Sequence, residues 1–572
     1  MPQLSDQAMD MDRNLKSWLV NKSNKKFNPD TCHLSIYNFP TTGFGLKAEK
    51  DFEPDQILFK LPIDGCSVNV KNVLEDPNIQ KFLNSPNLPH DHYNAMDLLI
   101  IFFIIGRKKF PNLEKSNFEP YFQFLPQSFS TLPFTWNADQ IDYFDTFDRS
   151  DVYQEIDLVE ETFKKIKSAL EASKLFTKYY ELSKSDFLWA FSIIRTRSFS
   201  CCALRNYELP QDLRNRNKNY QNLVLGSYKR QILMPYIDMV NHANDDKDVN
   251  VDVDLDVDNN WVIFSTRFIK KGQQLFLNYD PFSSAETLLC HGFIDTSRPN
   301  PNERISFSIP EIDPNNAIHS RLKNTNLDFV TSKDLPSGEN PMFINFNSGC
   351  SFGLQKAALI CSLDNSLELG SKCQSWADVY WGYYSTIPKY IKEKTNEKLK
   401  EIILQKKKML LNKLADIEFE IQQVKDNLCD IQENDGFYWL KILFKTQIKF
   451  IEEFLKSSNN KFFVLPCDSD YVAGCSEDES EKNSSTCPYG NPSVRSTSSS
   501  SLAKKIRESF ASQRSSMSQF RRSTSVLSGG NVNVNSKNSN DSTEVFSGEV
   551  EINSSDRFRS KNEMILGYEF LY

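Results

Sequence analysis

Residues Leu233 to His242 read L-M-P-Y-I-D-M-V-N-H. The segment is mostly apolar and ends on two polar side chains, Asn241 and His242. Polar groups carried into an apolar interior need hydrogen-bonding partners, so this ending constrains what packs against it. Two further pieces stand out: T-G-F-G-L, Thr42 to Leu46, far upstream, and F-L-N-Y-D, Phe276 to Asp280, downstream. Only a fold that threads remote segments together makes one site of the three.

The chain has 572 residues, a net charge of -8 and a pI near 5.6. That length suffices for two or three domains with a sizeable core. The acidic balance lacks the basic footprint of a general nucleic-acid binder and mildly favours a basic partner. Twelve cysteines are scattered without a Cys-x-x-Cys pair, so no zinc site and no other metal is expected. Without a signal peptide, unpaired thiols in a reducing compartment are the simplest reading. The longest apolar run, Leu98 to Ile105, is far short of the about 20 residues of a membrane span and reads as buried helix.

Along the chain, Met1 to Arg13 reads as loose and Asn14 to Val20 as a short amphipathic helix. Thr31 to Pro62 alternates as strands, with Pro40 and Gly43 marking a turn. From about Asp91 to Phe199 the period is helical, with an aromatic connector from Pro120 to Pro133. Val249, Val251, Val253, Leu255 and Val257 alternate with Asn or Asp, a strand with one wet face. Its carboxylates lie in a row and not around a point, so calcium is not indicated. Asp258-Asn259-Asn260 turns the chain into a partner strand, Trp261 to Thr266, and Gln274 to Tyr279 reads as the last strand. After Pro299 the pattern is helical to about Lys456. Asp468 to about Arg557 is Ser/Asn-rich and too poor in apolar residues to build a core. Within it Arg514 to Ser525 is locally basic, and Lys561 to Tyr572 reads as a short apolar helix.

A tryptophan-containing helix ending R-T-R-S-F, then P-Y-I-D-M-V-N-H, a hairpin, and N-Y-D-P-F-S-S-A-E-T-L-L-C-H-G-F follow one another. In this order they resemble the SET-domain subfamily typified by the Rubisco large-subunit methyltransferase. Its members include the actin-histidine methyltransferase and fungal methyltransferases of ribosomal proteins and elongation factors. The resemblance covers roughly Cys32 to Phe463. It implies an α+β fold: a split SET domain of short β-sheets with a helical insert and a pseudoknot-like core, then an all-helical substrate-binding domain and a disordered Ser-rich tail. The corresponding boundaries are an N-terminal segment at 1–30, SET parts at 31–95 and 226–298 around an insert at 96–225, a substrate-binding domain at 299–465 and a tail at 466–572.

The same resemblance implies S-adenosyl-L-methionine as cofactor and assigns roles. The main chain of Thr42 and Phe44 would hold the cofactor, with Gly43 and Gly45 permitting close backbone approach. Arg197 would pair with the cofactor's carboxylate, a bidentate geometry suited to arginine; Arg195 is the competing neighbour. Asn241 and His242 would contact the adenine and methionine portions. Tyr279 would be both cofactor-binding, beside the reactive sulfur, and catalytic, its hydroxyl orienting the amine and stabilising developing charge. Phe293 would close the pocket, while Ile237 and His291 would shape the substrate channel. The actin-histidine enzyme carries tryptophan where Ile237 stands, which favours lysine as the acceptor. Two positions depart from the family pattern: Asp280 stands where glycine is usual, and His291 where tyrosine is common in lysine-methylating members. The expected function is therefore a cytoplasmic, monomeric protein-lysine N-methyltransferase acting on elongation factor 1A or a ribosomal protein. It would bind neither nucleic acid directly nor membrane. A catalytically silent SET-fold binding module is the alternative.

Overall fold

A computed structural model describes residues 2–89, 92–108, 113–174, 181–312, 342–347, 349–362, 389–427 and 436–457. The tail readings at 466–572 lie outside these residues.

The chain opens with a long helix, α1 (Pro2–Lys22). The start expected to be loose is therefore helical, because α1 packs on the first hairpin through buried Leu15 and Leu19. That hairpin joins β1 (Leu34–Phe39) and β2 (Gly43–Ala48) in register Phe39 to Gly43. β3 (Ile57–Pro62) pairs antiparallel with β9 (Asn260–Ser265), which pairs in turn with β8 (Val251–Leu255). β4 (Val68–Asn69) and β5 (Phe199–Ser200) flank β6 (Gln231–Leu233). β7 (Asn241–His242) lies parallel to β10 (Phe276–Leu277). Two corrections follow. Val257 is 98% exposed in the turn and is not part of β8. The last strand of the set is also only two residues long, with Gln274 in an isolated bridge to Lys47, so Tyr279 has already left the sheet.

Between the two halves of this sheet system sit the helices of the insert. α2 (Ala95–Arg107) is buried at every residue from Ala95 to Ile105, as an all-apolar helix must be. It starts at a capping box in which Asn94 and Asp97 satisfy each other's backbone N–H, an arrangement that removes two orphan donors. α3 (Thr146–Ser173) and α4 (Lys184–Arg197) are its other long helices, with Lys165 of α3 pairing at 2.6 Å with the buried Asp97.

α5 (Ser284–His291) leads away from the sheets. Its N-cap Ser283 forms a second capping box with Glu286, and Gly292 ends it in the left-handed conformation at φ 76°. Beyond it, a small sheet of β11 (Arg304–Ser306), β12 (Phe343–Asn345) and β13 (Gly349–Cys350) precedes the helices. The mostly helical pattern after Pro299 does not foretell these short strands. Then come α6 (Phe352–Ser362), α7 (Lys389–Asn427) and α8 (Gly436–Ser457). The buried apolar residues form two clusters, one spanning Leu15 to Leu277 and one spanning Trp136 to Phe454. Among the described residues no helix is long and apolar enough to cross a membrane, and no group of three or more His, Cys, Asp or Glu is placed to hold a metal ion.

Candidate active site

The three remote motifs meet where β7 and β10 run side by side. Asn241 donates from Nδ2 to the carbonyl oxygens of Thr42 at 3.4 Å and Phe44 at 3.2 Å. Two glycines make this approach possible for different reasons. Gly43 has φ 68°, a backbone state that side chains disfavour. Gly45 is needed for space: a Cβ there would lie 2.7 Å from Asn241 Nδ2 and 2.8 Å from Gln274 Nε2.

His242 is buried and fully engaged. Its Nδ1 accepts the Tyr279 backbone N–H at 3.1 Å, so the ring proton resides on Nε2, which faces Asn244 Oδ1 at 2.7 Å. Burial pushes its pKa below the ordinary value, and the Asn244 contact only partly opposes this. A neutral histidine results, used as a brace between strands.

Tyr279 donates its hydroxyl hydrogen to the Val240 carbonyl at 2.8 Å. Between its backbone N–H and its hydroxyl it spans the whole Val240–His242 segment. Burial pushes the phenol up to about 12, so it stays protonated at neutral pH. Around it the rings of His242 and His291 lie 5.0 and 5.1 Å away, centroid to centroid. Phe293 adds contacts to His242 at 6.0 Å and His291 at 6.2 Å, and Phe282 packs on His291 at 5.6 Å. His291 carries a buried Nδ1 without a hydrogen-bond partner among the described residues. Burial, with the Arg195 charge adding to it, pushes this imidazole down to about 3. Asp280 follows Tyr279 with a carboxyl raised by burial and by Glu286.

Arg197, at the end of α4, reaches the same motif from below. Its Nη1 donates to the Asp238 carbonyl at 2.9 Å and lies 3.5 Å from Asp238 Oδ2. Asp238 Oδ2 also accepts the Tyr121 hydroxyl at 2.7 Å. Arg195 points elsewhere, to Glu155 at 2.8 Å and Cys290 at 3.3 Å. Ile237 has no exposed surface and lies in the larger apolar cluster.

Thr42, Gly43, Phe44, Asn241, His242, Tyr279, His291 and Phe293 thus gather in one connected region, with Arg197 reaching its Asp238–Met239 turn and Ile237 in the core behind it. Sequence reasoning missed Gln274, which exchanges side-chain hydrogen bonds with Thr42 at 2.8 and 3.0 Å. It also missed Asn250, which accepts the Phe276 N–H at 2.9 Å and donates to the Gln274 carbonyl at 2.8 Å. Asn250 sits in the Val/Asp alternation, where it reads as one more wet-face residue. Asn278 was visible in the F-L-N-Y-D motif; its Oδ1 is buried and unpartnered among the described residues.

Residues 43–280 match the family model described as the SET domain, and this part of the chain has the SET-domain fold. Several relatives are named as protein methyltransferases. The [fructose-bisphosphate aldolase]-lysine N-methyltransferase of Arabidopsis thaliana is 27% identical over 39% of this chain and 45% of its own length. The ribulose-1,5-bisphosphate carboxylase/oxygenase large-subunit N-methyltransferase of Nicotiana tabacum is 30% identical over 27% of this chain and 29% of its own. The chain therefore spans less than half the length of these two relatives. A solved structure of Rubisco LSMT bound to AdoMet aligns over 82% of this chain and 97% of its own, at 17% identity and a TM-score of 0.49.

Proposed function

We propose that this protein is an S-adenosylmethionine-dependent protein-lysine N-methyltransferase, with Tyr279 as its catalytic residue. The observation that carries the reading is the convergence of the Thr42–Phe44 carbonyls, Asn241–His242 and Tyr279 from three remote segments onto one small region.

The residues present fit the cofactor. Around Gly43 nothing lies within 4 Å of the position a Cβ would take. Asn278 Oδ1 and His291 Nδ1 are buried polar atoms without a hydrogen-bond partner among the described residues, the kind that a ligand satisfies. Thr42, Phe44, Asn241 and His242 would hold the cofactor, Arg197 would face its carboxylate and Phe293 would close over it. S-adenosylmethionine supplies, when bound, an electrophilic methyl group on a sulfonium.

The chain's own residues then have two tasks. One is alignment, which contributes about 7–11 kcal/mol in well-oriented reactions. The other is to present an uncharged amine, and the apolar wall of Phe282, Phe293 and the neutral His242 and His291 rings favours that form of a lysine. Tyr279 stays a phenol at neutral pH, so it acts as a hydrogen-bonding group and not as a base. Its oxygen keeps lone pairs while its hydrogen is held by Val240.

The acceptor we favour is a lysine of translation elongation factor 1A. The opening helix with Trp18 and the F-P-T-T-G-F-G-L turn support this layout, and Ile237 in place of tryptophan favours lysine over histidine. Purified protein incubated with labelled S-adenosylmethionine and elongation factor 1A should transfer label to a lysine, located by mass spectrometry. Label on a ribosomal protein instead would move the substrate. Cofactor binding without transfer to any candidate would favour the silent binding module that Asp280 and His291 leave open.

A further inference from the structure

We infer that Asp12, on α1 and outside the matched SET segment, is a positioning residue that sets both arms of the candidate cofactor site at once. The inference rests on the methyltransferase reading above.

The Asp12 carboxylate gathers three donors. Its Oδ1 accepts the Ile36 backbone N–H at 3.1 Å and lies 3.0 Å from the Tyr236 hydroxyl. Its Oδ2 pairs with Lys16 at 2.8 Å, and Lys16 donates onward to the Leu34 carbonyl at 2.6 Å. Only an acceptor-only group with two oxygens serves three donors in this way. Both charged side chains are nearly covered, at 13% and 15% exposure, so the contacts are shielded from solvent.

Each contact leads to one arm. Ile36 pairs with Leu46 across β1 and β2, and β2 carries the Gly43–Gly45 backbone under Asn241. Tyr236 leads to the other arm. It is a non-glycine residue at φ 80°, ψ −46°, a region where a bulky side chain is a strained outlier held by its surroundings. Its neighbours hold it there: its ring stacks on Phe59 at 5.0 Å and its hydroxyl lies between Asp12 and the Leu34 carbonyl. From this pivot the chain turns tightly, with Met239 N–H to the Tyr236 carbonyl at 3.2 Å and Val240 N–H to the Ile237 carbonyl at 3.1 Å. It then enters Asn241 and His242. Releasing the Tyr236 hydroxyl frees the pivot to relax, and the Val240–His242 strand shifts relative to β2.

The test uses the full chain, the single variants D12A, D12N and Y236F and, as a control on the same helix, R13A, whose exposed side chain pairs among the described residues with Asp10. D12A and Y236F should raise the KM for S-adenosylmethionine about tenfold, the size of one buried hydrogen bond to a charged group. Turnover at saturating cofactor should stay within about twofold of wild type, since a tenfold change in affinity needs only 1.4 kcal/mol. D12N keeps an oxygen for Ile36 and Tyr236 and should recover most of the affinity. The double variant D12A/Y236F should be no worse than either single one, as expected for two residues acting through one contact. Hydrogen exchange without cofactor gives a second readout: the 237–243 segment should exchange faster in D12A and Y236F than in wild type or R13A. A lower turnover with unchanged KM would mean only a smaller folded fraction and would overturn the inference, as would unchanged exchange at 237–243. Wild-type protein that binds no cofactor would sink the methyltransferase reading, even if the exchange coupling were seen.

Discussion

The cluster around Tyr279 and the helical core around Lys406 share one helix, α5, yet they bury titratable groups in opposite states. On the site side the titratable rings around the cleft are neutral: His242 and His291 are held below their ordinary pKa by burial, and Tyr279 above its own. On the other side, Lys406 is 4% exposed and lies 2.8 Å from Glu311 and 3.7 Å from Asp145. Burial pushes Glu311 upward, but Lys406 more than offsets this and holds it below the usual range. Carboxyls without such a cation go the other way: burial pushes Asp151 up to about 6 and Glu303 up to about 7. Neutral polar groups braced by backbone suit a place where a ligand must come and go. Paired charges suit a place that stays closed.

The largest effect should come from breaking the closed side. Lys406→Met leaves Glu311 and Asp145 without their buried cation, which costs about 3–5 kcal/mol; urea unfolding would measure it. Cofactor affinity should move little, and a parallel collapse of affinity would show that the two regions form one cooperative unit. Next is Tyr279→Phe, which should lower turnover by about 10²–10³, the scale of losing one preorganised hydrogen-bonding group. The cofactor dissociation constant should remain within about twofold; equal turnover removes Tyr279 from the mechanism.

Two pH experiments separate the regions by sign. Glu303 titrates near 7 when folded and at its ordinary 4.5 when unfolded. Between those values the folded state binds the extra proton, so stability falls as pH rises through the window. Glu303→Gln should remove that fall, and the variant should gain about 3 kcal/mol on wild type between pH 4 and pH 8. His291 has the opposite slope. Its folded pKa, about 3, lies below the ordinary 6.5, so the unfolded chain binds the proton first and stability falls as pH drops below 6.5. His291→Phe should flatten this limb by about 2 kcal/mol at pH 5. Thermal melts across pH check both; slopes of the same sign would erase the contrast.

The neutral side was far more legible in sequence than the charged side. Asn241, His242, Gly43, Gly45 and Tyr279 lie in short motifs whose residue types already imply close backbone approach and partnered polar groups. The insert helices were legible for a simpler reason: runs such as Leu98 to Ile105 have one place to go. Lys406, Glu311 and Asp145 look like solvated charges in a row, since a helix such as α7 is charged almost throughout and periodicity does not say which lysine turns inward. Short strands were the hardest to read. Two-residue pairs such as β7 with β10 carry no alternation, and Val257 kept the period-two pattern although it belongs to a turn. Asp12 sat in a stretch whose polarity suggested a loose end, because its partners lie on segments that nothing in its own neighbourhood names.

The contact from Asn241 to the Phe44 carbonyl joins residues 197 positions apart. During synthesis at about 5–20 residues per second, the hairpin waits roughly 10–40 s for its partner to leave the ribosome. Throughout that interval its glycine-lined backbone faces solvent or a chaperone. The binding cleft therefore comes into being only once its second half has been made, and a nascent chain interrupted before Tyr279 would be folded in places yet unable to recognise its ligand.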